Sequence, residues 1–280
     1  MQIGCHVSIR YGYEEAARTA SRLGASAFQF FPKNPRSLGV KAYDARDARA
    51  CRKYCEEQNM LSIAHTAYPV NLCTVDSELY KVTVQSVRND LDIAEACGAI
   101  GVVVHFGHHK GPDLLEGYKL MIQMLNEILD SWSGKAKILV ENNAGQGSRM
   151  GTTLEELTQV RDLLAEPQKV GFCFDTCHAF GSGLWHGHDW EQVADKMREL
   201  GYFAHLCAVH LNDSIYPSGS FRDRHARIGK GLIGDDAFAS FLRTSELQGL
   251  PLVLETPKEG EDSHAEEIKH VRHLADNWQL

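Results

Sequence analysis

No apolar stretch in the chain approaches the roughly 20 residues that a bilayer-spanning helix needs, which excludes a helical membrane protein. The opening residues, Met1-Gln2-Ile3-Gly4-Cys5-His6, lack the basic segment and long apolar core of a secretion signal. They are read instead as a first strand, in a cytoplasmic protein. Low-complexity tracts, Pro/Gly/Ser-rich linkers and shifts of composition are also missing, so residues 1–280 are read as a single domain. Among the eight cysteines, Cys51 and Cys55 have no second pair nearby to complete a thiolate zinc site. The cysteines are expected to be free, buried thiols of a reducing compartment. Positive charge is not in excess either. A formal charge of −8 argues against a generic polyanion binder. Three bound dications, however, would bring the total to about −2 and concentrate positive charge in one cleft.

What the chain does have is eight short apolar runs, about one every 35 residues, with helical patterns between them. The first two are Ile3–Val7 and Ala27–Phe31. The other six each stop on a histidine or a carboxylate: His65, His105, Glu141, Asp175, His210 and Glu255. Unbroken apolar runs of this length are the mark of buried parallel strands. Thr153-Leu154-Glu155-Glu156 predicts a capping box at a helix start, and Asp235 or Asp236 is expected to cap a later helix. Helices are also expected over Ser77–Cys97 and Leu115–Trp132. Eight strand–helix units in 280 residues fit a (β/α)8 TIM barrel, an α/β fold that usually takes about 250 residues. A doubly wound open sheet would want a glycine-rich phosphate loop after its first strand. Cys5-His6-Val7-Ser8 is no such loop.

Each strand-end residue has an ordinary explanation when taken alone. A histidine there can be a satisfied turn residue, and a carboxylate can simply cap the next helix. Six of them at one level of a barrel mouth would be left unpaired or repelling unless cations held them. His178, three residues past Asp175, returns to the same side if a helix begins there. Asp223 and His225, two apart, share a face of an extended segment inside the loop Asn212–Gly234, which is placed to fold over the mouth. The set is then five histidines and four carboxylates without a thiolate, suited to zinc, manganese or iron at a catalytic site. Nine donors exceed the needs of one ion. With one bridging carboxylate, they serve three.

The chain closely resembles the endonuclease IV family of metal-dependent apurinic/apyrimidinic endonucleases, nearly from end to end. The resemblance is carried by Gly4-Cys5-His6-Val7-Ser8, Lys33-Asn34-Pro35-Arg36, Glu141-Asn142-Asn143-Ala144-Gly145-Gln146-Gly147 and Asp175-Thr176-Cys177-His178-Ala179-Phe180. It continues through His210-Leu211-Asn212-Asp213, Asp223-Arg224-His225 and Leu254-Glu255-Thr256. It implies three Zn²⁺ ions, with Mn²⁺ an alternative at one or more sites. His65, His105 and Glu141 would hold the first, and Glu141 would bridge to a second completed by Asp175, His210 and Glu255. His178, Asp223 and His225 would hold the third. The implied reaction is base-excision repair: hydrolysis of the phosphodiester 5′ to an abasic site in duplex DNA. A metal-bridging hydroxide is the implied nucleophile, and Glu141 and Glu255 are the catalytic carboxylates.

The resemblance also implies DNA contacts from Arg36, Tyr68 and Pro69, the last standing where the family has leucine. Lys33, Arg36, Arg222, Arg224, Arg227 and Lys230 are candidate phosphate contacts. The partner is double-stranded DNA and the protein a monomer. The enzyme alternative is a sugar isomerase or epimerase on the same barrel, using one ion on Glu141, Asp175, His210 and Glu255. Such an enzyme has no use for His65, His105 and the Asp223/His225 pair. A catalytically silent damage-binding barrel would keep the donors and lose the nicking.

Overall fold

Strand-forming runs, helix caps and short loops alternate through a computed structural model that describes residues 1–258, 260 and 263–276. The strands are β1 (Gln2–His6), β2 (Ala27–Phe30), β3 (Leu61–His65), β4 (Gly101–His105) and β5 (Lys137–Glu141). They continue with β6 (Val170–Asp175), β7 (Leu206–His210), β8 (Asp213–Ser214), β9 (His225–Ala226) and β10 (Pro251–Leu254). The helices are α1 (Tyr13–Arg22), α2 (Ala45–Gln58), α3 (Ser77–Cys97), α4 (Leu114–Leu129) and α5 (Leu154–Asp162). After them come α6 (Thr176–Ser182), α7 (Trp190–Glu199), α8 (Asp235–Leu242) and α9 (Ser263–Asp276).

All eight expected runs form strands, and they close into a parallel barrel in the order β1-β10-β7-β6-β5-β4-β3-β2. The chain is a TIM barrel. β8 and β9 pair separately as a small antiparallel ribbon within the loop that follows β7.

The barrel interior explains why the strand-end residues point inward. Ile63, Val103, Leu139, Cys173, Ala208 and Val253 form one buried cluster inside it. Each lies two residues before His65, His105, Glu141, Asp175, His210 or Glu255, and residues two apart in a strand share a face. An apolar layer therefore lies directly beneath the polar one. Register fixes the polar level as well: His105 is opposite Glu141, and Asp175 is opposite His210.

Thr153 and Glu156 make the expected capping box on α5. The expected cap of α8 is corrected. Gly234 occupies that position and contributes no side chain, while Asp235 is the first helical residue and takes His270 at 2.8 Å. All eight cysteines are free, and Cys51 and Cys55 are packed in the core along α2. Among the described residues, no helix is long and apolar enough to cross a membrane.

Candidate metal centre

Glu141, at the end of β5, sits where the strand-end side chains meet, and it is 1% exposed. Its Oε2 lies 3.7 Å from His65 Nε2 and 3.5 Å from His105 Nε2. Its Oε1 lies 2.9 Å from His210 Nδ1 and 3.2 Å from His178 Nδ1. Among the described residues, Oε2 has no hydrogen-bond partner, although it is buried. A buried carboxylate oxygen without a partner costs on the order of 1–3 kcal/mol or more, so it marks a place built for a ligand.

The nine donors fall into three tight groups. His65, His105 and Glu141 each offer an atom within 4.8 Å of the others, and so do Glu141, Asp175, His210 and Glu255. His178, Asp223 and His225 form the third. Glu141 belongs to two groups, as a bridging carboxylate must. Cys177 also approaches Asp175 and His225. Burial holds its thiol proton up to about 12, which suits packing better than ligation.

Asp175 reconciles the two readings of a strand-end carboxylate. One oxygen accepts the His178 backbone N–H at 2.6 Å and caps α6. The other receives Asn212 Nδ2 at 2.8 Å and lies 3.8 Å from His225 Nε2. Capping α6 also turns His178 toward Glu141. Here the helix cap builds the site.

Hydrogen bonds behind the donors fix their rings. His65 Nδ1 is 2.8 Å from Thr66 O, which leaves Nε2 facing the centre. His178 Nδ1 is 2.9 Å from Asn142 O, and its Nε2 is 3.3 Å from Asp223. His210 Nε2 is 2.7 Å from Gln29 Oε1, while its Nδ1 faces Glu141. With oxygen at both ring nitrogens, His178 and His210 hold protons that divalent cations would replace.

The electrostatics agree. Burial pulls both imidazoles down, yet Asp175 and Asp223 hold His178 well above its ordinary value. Cys173, Glu255 and Glu141 do the same for His210. Burial works to raise Glu141, and the surrounding histidines overcome it, keeping this carboxyl well below the usual range. Four carboxylates crowded with imidazoles could hold cations by charge as well as by geometry.

Several supporting residues escape a reading of the sequence. Gln29 donates to Glu255 Oε1 at 2.6 Å and lies 3.3 Å from His6 Nδ1, so it ties β2 to β1, β7 and the Glu255 end of β10. Asn142 and Asn212 lock the backbones of Asp175 and Glu255. His6 lies within a quoted motif, and Gln29 interrupts an apolar strand. Both signals are visible without their partners.

The cleft above the centre has a volume of about 460 Å³, and His6, Phe31, Tyr68, His105 and Asp223 are among its walls. Phe31 packs between His6 and His65 and meets Tyr68 edge-on at 5.1 Å. Tyr68 is 67% exposed at the rim, beside exposed Pro69. Arg36 is exposed on the neighbouring loop, which the Tyr68 N–H grips through Pro35 O. Arg224, Arg222 and Lys230 are also exposed.

Two of the expected phosphate contacts already have protein partners. Lys33 is 5% exposed and spends its ammonium on Asp90 and Ser86 O, both at 2.6 Å. Arg227 turns to Glu267 and Glu266, at 3.6 and 3.8 Å. His108, His109, His186 and His188 lie outside the three donor groups.

A family model described as a xylose isomerase-like TIM barrel matches residues 17–274. The probable endonuclease 4 of Symbiobacterium thermophilum is 44% identical over 274 residues, covering 98% of this chain and 99% of that protein. The crystal structure of endonuclease IV from Thermus thermophilus is similar at a TM-score of 0.87 and 31% identity, across 99% of this chain and 100% of that one. A 3-keto-D-glucoside 4-epimerase from E. coli reaches a TM-score of 0.68 at 16% identity, covering 97% and 99% of the two chains. That last likeness is one of fold alone.

Proposed function

This chain belongs to the endonuclease IV family, and we propose that it is a DNA-repair endonuclease cutting the phosphodiester 5′ to abasic sites in duplex DNA. The products are a 3′-hydroxyl and a 5′-deoxyribose phosphate. The protein works as a cytoplasmic monomer with three divalent ions, zinc or in part manganese. The observation that carries this reading is Glu141: a buried carboxylate shared by two donor groups, with an oxygen that no protein atom satisfies.

Divalent ions held by these three donor groups would supply Lewis acidity, both to activate a water near neutral pH and to offset charge on the phosphate and the leaving oxygen. The chain's own part is placement. Thr66, Asn142 and Gln29 orient the imidazoles, so little reorganisation is required when charge develops. Asp175 and Glu255 are held by Asn212. Phe31 forms an apolar side of the cleft, where a sugar without its base can pack.

Selection of damage rests on the rim. Flipping costs least where a base is missing, and side chains must fill the gap it leaves. Tyr68, with Pro69 beside it, stands exposed at the mouth for that role, and Arg36 and Arg224 supply charge for phosphates. Pro69 is shorter and stiffer than the leucine of the family, so Tyr68 carries more of the wedge.

The test is a duplex with one abasic analogue, incubated with zinc-loaded protein beside an intact duplex, with bound metal counted by mass spectrometry. The expected result is a nick 5′ to the lesion, a 3′ end that a polymerase extends, and close to three ions per chain. Binding without nicking would mark a silent barrel. One ion with turnover of a ketose would mark a sugar enzyme.

A further inference from the structure

The loop joining β7 to α8 carries Asp223 and His225, and its geometry converges on a residue outside the donor groups. Asp213 is fully buried in β8. Its Oδ1 accepts the backbone N–H groups of Ser214 (2.7 Å) and Ile233 (2.9 Å). Its Oδ2 accepts those of Gly229 (3.1 Å), Gly231 (3.0 Å) and Gly234 (3.4 Å). One carboxylate thus gathers five main-chain donors. The outgoing and returning ends of the loop are fastened at this point, and Leu232 N–H adds a bond to Ser214 O at 2.7 Å.

The same two residues hold the arm. Asp213 is opposite Ala226 and Ser214 is opposite His225 in the β8–β9 ribbon. On its other side, Asp213 adjoins Asn212, which reaches Asp175 and Glu255. The sequence around the returning chain suits the cradle. A Cβ on Gly231 would stand 2.4 Å from Asp213 Oδ1 and 2.5 Å from Ser214 O, so only glycine allows so close an approach.

We propose that Asp213 is a positioning residue for the His178–Asp223–His225 group, fixing the ribbon that brings the arm over the barrel mouth. The consequence for metal binding rests on the three-ion reading above; the hold on the arm does not.

Asp213→Asn keeps the size of the side chain but turns an amide NH₂ toward at least two backbone donors. Two measurements read the result: hydrogen exchange across residues 214–234 against the barrel strands, and ions per chain. Exchange in the loop is expected to rise about tenfold or more while β4 and β5 stay protected. One ion is expected to be lost and two kept. Adding His225→Ala to Asp213→Asn should remove no further ion, because both act on the same one. Unchanged loop exchange, or loss of all ions together with a melted barrel, would overturn the proposal. If Asp213→Asn does not fold, Gly231→Ala presses on the cradle from the opposite side and is expected to give the same pattern. If the unaltered protein itself carries fewer than three ions, the three-ion reading falls, and the exchange result alone decides the role of Asp213.

Discussion

Most of the candidate metal donors come from two kinds of structure, barrel strands and the loop after β7, while His178 comes from helix α6. His65, Glu141, Asp175 and His210 end barrel strands and are nearly or fully buried; His105 also ends a strand but is exposed, and register sets their spacing. Asp223 and His225 come from a loop, and the Asp223 side chain is 41% exposed. Strand-borne donors inherit their precision from the backbone ladder, while arm-borne donors need hydrogen bonds assembled for them, as at Asp213 and where Gln146 Oε1 accepts the Asp223 N–H. The buried half of the centre should therefore fail all at once, and the arm should fail alone.

Breaking the comparison at its strongest point means Glu141→Gln. One substitution then touches two donor groups, and nicking of abasic duplex is expected to fall by at least about 10³-fold with more than one ion lost. His225→Ala should remove one ion and leave the other two, lowering activity by on the order of 10²-fold with little change in melting temperature. Equal metal loss from the two variants would erase the distinction between barrel and arm.

A second contrast lies within four residues. Lys33 is sealed against Asp90, whereas Arg36 is open to solvent. Lys33→Met strands a buried carboxylate and is expected to cost about 3–5 kcal/mol, read as a fall in the urea midpoint. Burial raises the Asp90 carboxyl to about 6 even with Lys33 beside it; without that cation it should take a proton at still higher pH, so part of the loss should be recovered as pH falls. Arg36→Ala should leave stability within about 0.5 kcal/mol and weaken preference for abasic over intact duplex. A preference unchanged by both Arg36→Ala and Tyr68→Ala would remove the rim from recognition.

The smallest effect is expected from pH in metal-stripped protein. His178 and His210 titrate above their ordinary value of about 6.5, so their stabilising contribution is complete below that pH and fades as pH rises through the folded values. Bound divalent cations would replace the protons, so loading with zinc should protect the protein most at alkaline pH. A melting temperature of the stripped protein that climbs over the same range would contradict the charge balance described at Glu141.

The barrel and the nine clustered side chains are legible in the sequence, because strand ends and short motifs are local patterns. Asp175 shows how far that goes: both its cap and its place in the cluster follow from standing where a strand meets a helix. Lys33 misleads because its partner lies 57 residues away in α3, and nothing near it signals burial. The positions of Gln29 and Asp213 are noticeable in the sequence, but what they do there is not, for a related reason. Their roles depend on atoms from several other strands or loops, and no spacing in the chain records that meeting.

On the proposed function, nine side chains hold three cations around Glu141. A crystal structure of the metal-loaded protein, with anomalous scattering at the zinc and manganese edges, measures it directly. Three peaks are expected, two of them sharing Glu141 and the third enclosed by His178, Asp223 and His225. A single peak on Glu141, Asp175, His210 and Glu255, with the arm turned away, would contradict it.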